Sequence, residues 1–384
     1  MFFLKKIAVF FGGKSCEHDV SVITGVLTLN SLDKNLFEPV PVFISGDGKW
    51  YTGKILNDIS VYKTLNLKDL ARVTFLAGDG SLYAVKKSGL KKLCEISLAI
   101  NCLHGVNGED GTLAGVLKLC GIPSASPDLF ASAFSMDKDF TKIVLQGLNV
   151  ERLPYLRLLR KNYYEKKETA VKMIEKKFSY PVIVKPANAG SSIGISVAAG
   201  ERELSDALSL AFSYDDKVII ERALKNFREI NCAAYRADDK IVVSECEEPV
   251  SVNEILTFKD KYLGSKTGAG RRMPADISKT LRDKIRSVTE RIYRKADFTG
   301  VIRIDYIIYE NKVFVNEINT VPGSLAYYLF SDTMKGFSDM LTALVKEGLS
   351  VSAAYYSRNF VYESNVLKIS GVKGAKSFDK TKKK

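Results

Sequence analysis

The sequence predicts an α/β protein of several modules that opens with a parallel sheet. An apolar run at residues 6–11 ends at a glycine pair, and a helical pattern and a second apolar run at 39–44 follow it. This order is the βαβ unit that starts a parallel sheet. The alternating segments 229–248 and 301–323 predict antiparallel strands further along the chain. The length of 384 residues favours two or three modules.

The remaining elements follow from periodicity and turn signals. Turn signals at 46–92 predict a hairpin-rich insertion, and the apolar run 95–103 predicts a buried strand that ends at His104. Residues 251–276 have no strong period, and a connection of this length is typical of a lid or a disordered segment. Helices are expected at 109–121, 131–148, 168–178, 201–213 and 277–296, and strands at 181–186 and 217–224.

Composition excludes several classes of protein. Apolar residues make up 46% and charged residues 26% of the chain, which excludes a disordered, collagenous or coiled-coil protein. No apolar run is long enough for a transmembrane helix, and the N-terminus lacks a small-residue cleavage site, so we expect no membrane insertion. The six cysteines form no C-x-x-C pair and the chain has two histidines, which disfavours zinc and disulfides. Reduced thiols fit a cytoplasmic protein.

The net charge of +13 is concentrated at the C-terminus. Residues 349–384 contain eight basic and two acidic residues and carry six of the thirteen net charges. A solvated tail explains this pattern, and the alternative is a tail that binds nucleic acid or anionic lipid. Since the excess over the other 348 residues is modest, we expect no nucleic-acid partner.

Acidic residues in an apolar hairpin give the most informative pattern. Because side chains alternate along a strand, Arg303 and Asp305 share one face, and Glu317 and Asn319 share a face of the second arm. A short turn around residues 310–311 sets Asp305 opposite either Asn316 or Glu317. In the second register the oxygens converge, and Asp, Glu and Asn oxygens suit Mg²⁺. The alternative, an exposed ion-paired hairpin, conflicts with the apolar neighbours.

A glycine- and serine-rich loop follows the strand at 181–186. Lys185 precedes Ala-Asn-Ala-Gly-Ser-Ser-Ile-Gly, whose small residues let backbone N–H groups approach an anion. The lysine precedes the loop, so this is not a P-loop. A lysine that emerges from a buried strand beside such a loop favours phosphate binding.

Both histidines lie in glycine-rich turns at strand ends, where ligands of such sheets bind. The first turn holds Glu17 and His18, and it lacks the G-x-G-x-x-G of a dinucleotide site. The acid is also typical of the first turn of a helix, where the dipole favours it. The second turn holds His104, for which a substrate contact and a purely structural contact remain equal alternatives.

Taken together, these segments resemble the D-alanine–D-alanine ligase family of the ATP-grasp superfamily. The matching blocks are FFGGKSCEHDVS, LHGVNGEDGTLAGVL, SMDKDFTK, YPVIVKPANAGSSIGIS, VIIERAL, KDKY, RIDY and VNEINTVPG, in family order from residue 6 to about 329. The resemblance implies ATP-dependent joining of two D-alanines through an acyl phosphate, for peptidoglycan precursors. It also implies two Mg²⁺ ions, with Mn²⁺ as a possible substitute, and a homodimer.

The resemblance further implies a three-module ATP-grasp architecture, with ATP between the second and third modules. We expect an N-terminal substrate-binding domain at 1–130 and a central ATP-grasp subdomain at 131–224. A C-terminal ATP-grasp domain at 225–348 carries the lid 251–276, and a basic extension follows at 349–384.

Site residues carry over by position. The implied ATP-binding residues are Lys138, Lys185, Ser192, Glu221, Leu224, Glu229 and Lys261. The implied catalytic residues are Glu17, Ser191 and Tyr262, which form a hydrogen-bonded group, and Arg303 and the Gly323 N–H, which stabilise the oxyanion. The implied metal ligands are Asp305, Glu317 and Asn319. The implied substrate-binding residues are Val20, His104, Tyr328 and Leu329.

One position departs from the family pattern. Tyr328 lies at or near a position where the family has a serine that binds the carboxylate of the second substrate. This leaves open a ligase that joins D-alanine to D-serine or another D-configured acceptor. A non-catalytic ATP-binding paralogue would have no reason to keep Asp305, Glu317 and Asn319 together with Arg303, and a nucleic-acid-binding protein would leave the acidic hairpin unexplained.

Overall fold

A computed structural model describes residues 4–250 and 270–365 of the chain. Its N-terminal sheet has seven strands in the order β6-β5-β4-β3-β2-β1-β7, with β1 parallel to both β2 and β7. The strands β3 to β6 extend this sheet as antiparallel hairpins, so the predicted α/β fold with a parallel start is confirmed. The strands are β1 (Lys5–Gly12), β2 (Phe37–Ile44), β3 (Trp50–Thr52), β4 (Ala71–Phe75), β5 (Ser81–Lys86), β6 (Gly89–Glu95) and β7 (Leu98–Asn101), and the helices are α1 (His18–Ser31) and α2 (Thr112–Leu119).

The expected single helix at 131–148 is wrong, because two helices occupy this segment. Helix α3 spans Leu129–Met136 and α4 spans Lys138–Gly147. Between them, the Asp137 carboxylate accepts hydrogen bonds from the N–H groups of Asp139 and Phe140 at 3.0 and 3.2 Å. An acid that caps the free N–H groups of a new helix ends the previous one.

The second sheet is antiparallel, in the order β10-β9-β11-β8. Helices on this sheet contribute Ile174, Leu208 and Phe212 to a separate apolar core with Val184 and Ile220. The strands are β8 (Tyr155–Leu159), β9 (Val182–Pro186), β10 (Ser196–Ala198) and β11 (Lys217–Arg222), and the helices are α5 (Arg160–Glu165), α6 (Lys167–Lys177) and α7 (Glu201–Tyr214).

The third sheet, in the order β13-β12-β16-β17, carries the acidic hairpin. Its core includes Phe134 and Leu145, so α3 and α4 pack with this sheet rather than with the second one. The strands are β12 (Arg228–Ala237), β13 (Lys240–Val243), β16 (Ile302–Tyr309) and β17 (Lys312–Asn319). The separate pair is β14 (Glu248–Val250) and β15 (Gly270–Arg272), and the helix is α8 (Lys279–Lys295).

A long helix, α9 (Met334–Tyr356), joins the C-terminal part to the N-terminal sheet. Its residues Leu341 and Val345 are buried in one core with Ile7 and Leu98. The helix crosses residue 349, so the start of the expected basic extension is helical, and residues 366–384 lie outside the described part of the chain. Within the residues that the structure describes, no helix is both long and apolar enough to cross a membrane.

Candidate active site

The acidic hairpin adopts the second of the two predicted registers. Strands β16 and β17 pair Tyr309 with Lys312, and the turn residues Glu310 and Asn311 both have a positive φ, as a two-residue hairpin turn requires. The pairing shifts after Tyr306, so that Asp305 lies opposite Glu317 and Arg303 opposite Asn319. The two carboxylates and the amide therefore share one face at adjacent positions of the ladder.

This face borders two clefts. The first cleft lies between the second and third sheets, and the second cleft lies between the N-terminal domain and the third sheet. Glu229, Asp305 and Glu317 line both clefts, so they mark the place where the clefts meet. A group transferred from a molecule in one cleft to a molecule in the other would pass these carboxylates.

The first cleft combines apolar walls with two lysines at the end near the carboxylates. Leu153, Ile183, Val197, Leu224, Phe227 and Ile307 are among the residues that line it. Lys138 and Lys185 line the end near the carboxylates, together with Ser192. An apolar recess that leads to two cations and small loop residues fits a nucleotide, whose base is apolar on its faces and whose phosphates are anionic.

A buried triad of charges fixes Lys185. The Glu221 carboxylate contacts Lys142 Nζ at 2.5 Å and Lys185 Nζ at 2.7 Å, and Lys185 Nζ also donates to Asn316 Oδ1 at 3.3 Å. Burial alone would raise the pKa of Glu221, but the two lysines lower it to about 2. Glu221 is thus ionised. Burial disfavours the charged form of Lys185, but the negative charge of Glu221 outweighs this effect and raises the pKa of Lys185. Burial lowers the pKa of Lys142, and the charge of Glu221 opposes this shift.

Lys138 begins α4 and reaches the same place from another element. Its Nζ donates to the carbonyl of Ala189 at 2.6 Å and lies 4.0 Å from Glu317 Oε2. The loop that follows β9 is thereby tied to α4, and both predicted phosphate-binding lysines lie beside the acidic face.

Glu17 and Ser191 connect the N-terminal domain to the glycine-rich loop. The Ser191 hydroxyl donates to Glu17 Oε1. A Cβ on Gly190 would lie 2.9 Å from Glu17 Oε2, and one on Gly105 would lie 2.6 Å from Ser15 Oγ. Because both approaches are tighter than a side chain permits, glycine at these positions allows the loops to close around Glu17.

The turn that holds His104 and Glu109 lines the second cleft. His104 Nε2 lies 3.0 Å from Thr24 Oγ1, which accepts from the N–H of Ser324 at 3.1 Å. Burial and the charge of Arg303 lower the pKa of His104 to about 4, so the ring is neutral at neutral pH.

Glu109 joins the same turn to the segment that precedes Gly323. Its carboxylate accepts from the N–H of Gly105 at 2.8 Å and from that of Val321 at 3.4 Å. Burial and the charge of Glu17 raise the pKa of Glu109 to about 8.

Arg303 and Asp305 form a bidentate pair. Arg303 Nε and Nη2 donate to the two Asp305 oxygens at 2.7 and 2.8 Å. No cluster of three or more His, Cys, Asp or Glu side chains suited to a metal occurs in residues 4–250 and 270–365. The hairpin set consists instead of two carboxylates and the Asn319 amide. These are hard oxygen donors, which fit Mg²⁺ when phosphate oxygens complete its coordination.

The remaining predicted residues fall into three groups. Val20, Gly323 and Tyr328 line the second cleft, and Arg271 Cζ lies 4.8 Å from the centre of the Tyr328 ring. The Leu329 side chain is buried against Ala233 and Ala326. Lys261 and Tyr262 lie outside the described residues.

Sequence reasoning missed several polar residues around the clefts, namely Lys142, Glu109, Asn231, Glu247 and Arg271. A signal was available for Lys142, because it lies one helical turn after Lys138 in an amphipathic segment. For Glu247 and Arg271 no such signal exists, since only the pairing of β12, β14 and β15 brings them to the second cleft.

A cleft between two antiparallel sheets, with lysines from separate elements above a pair of carboxylates, defines an ATP-grasp protein. Family models extend this finding. The D-ala D-ala ligase N-terminus matches residues 6–127, and the D-ala D-ala ligase C-terminus matches residues 144–347. The chain belongs to the D-alanine–D-alanine ligase family.

Individual relatives agree. The D-alanine–D-alanine ligase of Thermosipho melanesiensis is 35% identical over 373 residues, which is 94% of this chain and 98% of the relative. The solved D-alanine–D-alanine ligase of Helicobacter pylori is 30% identical, with a TM-score of 0.73 over 89% of this chain and 98% of that one. The VanG D-Ala:D-Ser ligase of Enterococcus faecalis is 29% identical, with a TM-score of 0.74 over 90% of this chain and all of that one.

Proposed function

We infer that the protein is an ATP-dependent ligase that joins two D-alanines into D-alanyl-D-alanine for peptidoglycan precursors. The observation that carries this inference is the meeting of the two clefts at Glu229, Asp305 and Glu317. A carboxylate must be activated before an amine can attack it, and the shared edge lets ATP in the first cleft meet an amino acid in the second.

The chain's residues divide the work by position. The first D-alanine binds with its ammonium at Glu17 and its carboxylate toward Lys138 and Lys185. The carboxylate oxygen attacks the γ-phosphorus, which gives an acyl phosphate and ADP. The amine of the second D-alanine then attacks the carbonyl carbon, phosphate leaves, and the amine loses its proton.

Phosphoryl transfer depends mostly on positioning and on neutralising charge. Lys138 and Lys185, the latter held by Glu221, supply cations that are fixed before the reaction. Asp305, Glu317 and Asn319 would hold Mg²⁺, or Mn²⁺ in its place, and two such ions would neutralise the phosphate charge. Arg303 and the Gly323 N–H are placed in the second cleft, where an oxyanion would develop.

ADP release tests the proposal. With Mg²⁺, ATP and D-alanine, the purified protein should release ADP and yield D-alanyl-D-alanine by mass spectrometry, whereas L-alanine should give neither. No ADP from any mixture of D-amino acids would contradict the ligase function.

The alternative is a ligase that uses a different acceptor in place of the second D-alanine. Tyr328 in the second cleft and the similarity to a D-Ala:D-Ser ligase favour a test with D-serine. A mixed product in preference to D-alanyl-D-alanine would move the protein to that specificity while keeping the fold and the chemistry.

Assembly and location belong to the same proposal. All six cysteines are free thiols, which suits the reducing cytoplasm. A homodimer is proposed by analogy with the family, and light scattering after gel filtration would measure the mass of the particle.

A further inference from the structure

Arg271 occupies an unusual position in the second cleft. It lies on β15 opposite Pro249 of β14, and both residues line the cleft. Its neighbour Arg272 pairs instead with Glu248 at 3.7 Å. The guanidinium of Arg271 lies over the Tyr328 ring, with Cζ 4.8 Å from the ring centre. A guanidinium stacked on an aromatic face keeps its N–H groups free at the edge of its plane.

The charges around Arg271 are mostly negative. Among the described residues that line the second cleft, the cationic side chains are Arg271 and Arg303. Arg303 is held by both oxygens of Asp305. The acidic residues in the lining are Glu17, Glu229, Glu247, Asp305 and Glu317, together with Glu109, whose pKa of about 8 leaves it mostly protonated at neutral pH.

This distribution matters for a zwitterionic substrate. The acceptor amino acid presents an amine to the reacting centre and must place its carboxylate elsewhere. Carboxylates of the protein would repel it, while a guanidinium binds it through paired N–H donors. Glu247, which is 4% exposed and accepts from Asn231 Nδ2 at 3.1 Å, belongs to the same lining, and burial raises its pKa.

We propose that Arg271, held on the Tyr328 ring, binds the carboxylate of the acceptor amino acid and sets the preference for acceptors with a free carboxylate. The inference rests on the proposed ligase function. Tyr328 thus supplies both a platform for the guanidinium and a phenol near the same carboxylate.

D-Alaninamide provides the test. It has no carboxylate to be activated, so it can serve only as the acceptor, and it offers no anion to Arg271. We expect the wild type to prefer D-alanine over D-alaninamide as acceptor. In Arg271→Met the kcat/KM for D-alanine as acceptor should fall about 10- to 100-fold, while that for D-alaninamide stays within about twofold. A purely structural role would lower both alike.

Four further variants sharpen the result. Arg272→Met, on the same strand, should keep the wild-type ratio, and Arg271→Lys should restore part of it. Tyr328→Phe keeps the aromatic ring against Arg271, whereas Tyr328→Ser removes it. Tyr328→Phe should therefore lose less of the kcat/KM for D-alanine as acceptor than Tyr328→Ser. An unchanged ratio in Arg271→Met, in an active enzyme, would overturn the inference alone. A wild type that releases no ADP with any acceptor would overturn the proposed function and the inference with it.

Discussion

Asp305 lies opposite Glu317 because Asn316 bulges out of β17. Below the bulge, Tyr306 pairs with Val315, and above it Asp305 pairs with Glu317. Uninterrupted pairing from the turn would set Asp305 opposite Asn316. The bulge therefore places both carboxylates on one face, and the displaced Asn316 receives a hydrogen bond from Lys185 at 3.3 Å.

Replacing Glu317 by glutamine tests the metal role of this face. Loss of one negative oxygen should weaken Mg²⁺ binding and lower kcat by about 10²-fold or more, by comparison with the loss of other charge-stabilising groups. Steady-state ADP release over a range of Mg²⁺ concentrations measures the effect. Glu310→Gln, at the exposed turn of the same hairpin, is the control and should be fully active. Near-normal turnover of Glu317→Gln would remove the metal assignment.

Ser191→Ala tests the link between Glu17 and the glycine-rich loop. The variant lacks the hydroxyl that donates to Glu17, so the carboxylate that should hold the first ammonium is no longer oriented. We expect kcat/KM for D-alanine to fall about 10- to 100-fold with a smaller change in the KM for ATP. Initial rates measured first with D-alanine varied and then with ATP varied distinguish the two effects. Equal changes in both constants would argue against a role in the D-alanine subsite.

The sequence predicted the local parts of the site well. Alternation placed Arg303 with Asp305 and Glu317 with Asn319, and the turn limited Asp305 to two partners. The choice between Asn316 and Glu317 required the bulge, which depends on contacts such as that of Asn316 with Lys185. No short-range pattern records such contacts.

The other predictions that failed also depended on contacts that the local sequence pattern does not record. The apolar period continued through 131–148, but the cap at Asp137 divides the segment. Helix α9 was not predicted, although its apolar face completes the N-terminal core. Arg271 lies within the segment 251–276, which has no strong period, and its place is fixed by pairing with Pro249.

Lys142 should hold Lys185 in place through Glu221. Its side chain is 2% exposed, and it contacts the Glu221 oxygen that Lys185 does not. Lys142→Met leaves Glu221 with Lys185 as its one ion-pair partner among these residues, so the carboxylate that positions Lys185 is no longer held from the other side. The KM for ATP should rise about tenfold, and the unfolding free energy should fall by about 3 kcal/mol, as for other broken buried pairs.

Lys142→Arg distinguishes the role of residue 142 in positioning Lys185 from its role in packing the core. Since arginine keeps the charge, this variant should recover much of the ATP affinity even where its bulk lowers the melting temperature. ATP binding by calorimetry and thermal unfolding measure the two effects separately. An ATP affinity that follows only the melting temperature would contradict the positioning role.

His104 should make the stability of the protein depend on pH. Its pKa is about 4 in the folded protein and 6.5 in its ordinary state, because burial disfavours the charged ring. Between these values the unfolded chain binds more protons, so stability is lost as pH falls from 6.5 toward 4. Relative to His104→Gln, the wild type should lose up to about 3 kcal/mol over this range.

Urea unfolding of both proteins at several pH values from 7 to 4.5 measures this difference. The comparison is needed because Glu109, whose pKa rises from 4.5 to about 8, acts in the opposite direction and makes stability fall as pH rises through the same range. Glu109 is present in both proteins, so its contribution cancels to first order when one is subtracted from the other. Parallel pH profiles for the two proteins would show that His104 titrates as an exposed histidine, and would contradict its placement as a buried neutral ring beside Thr24.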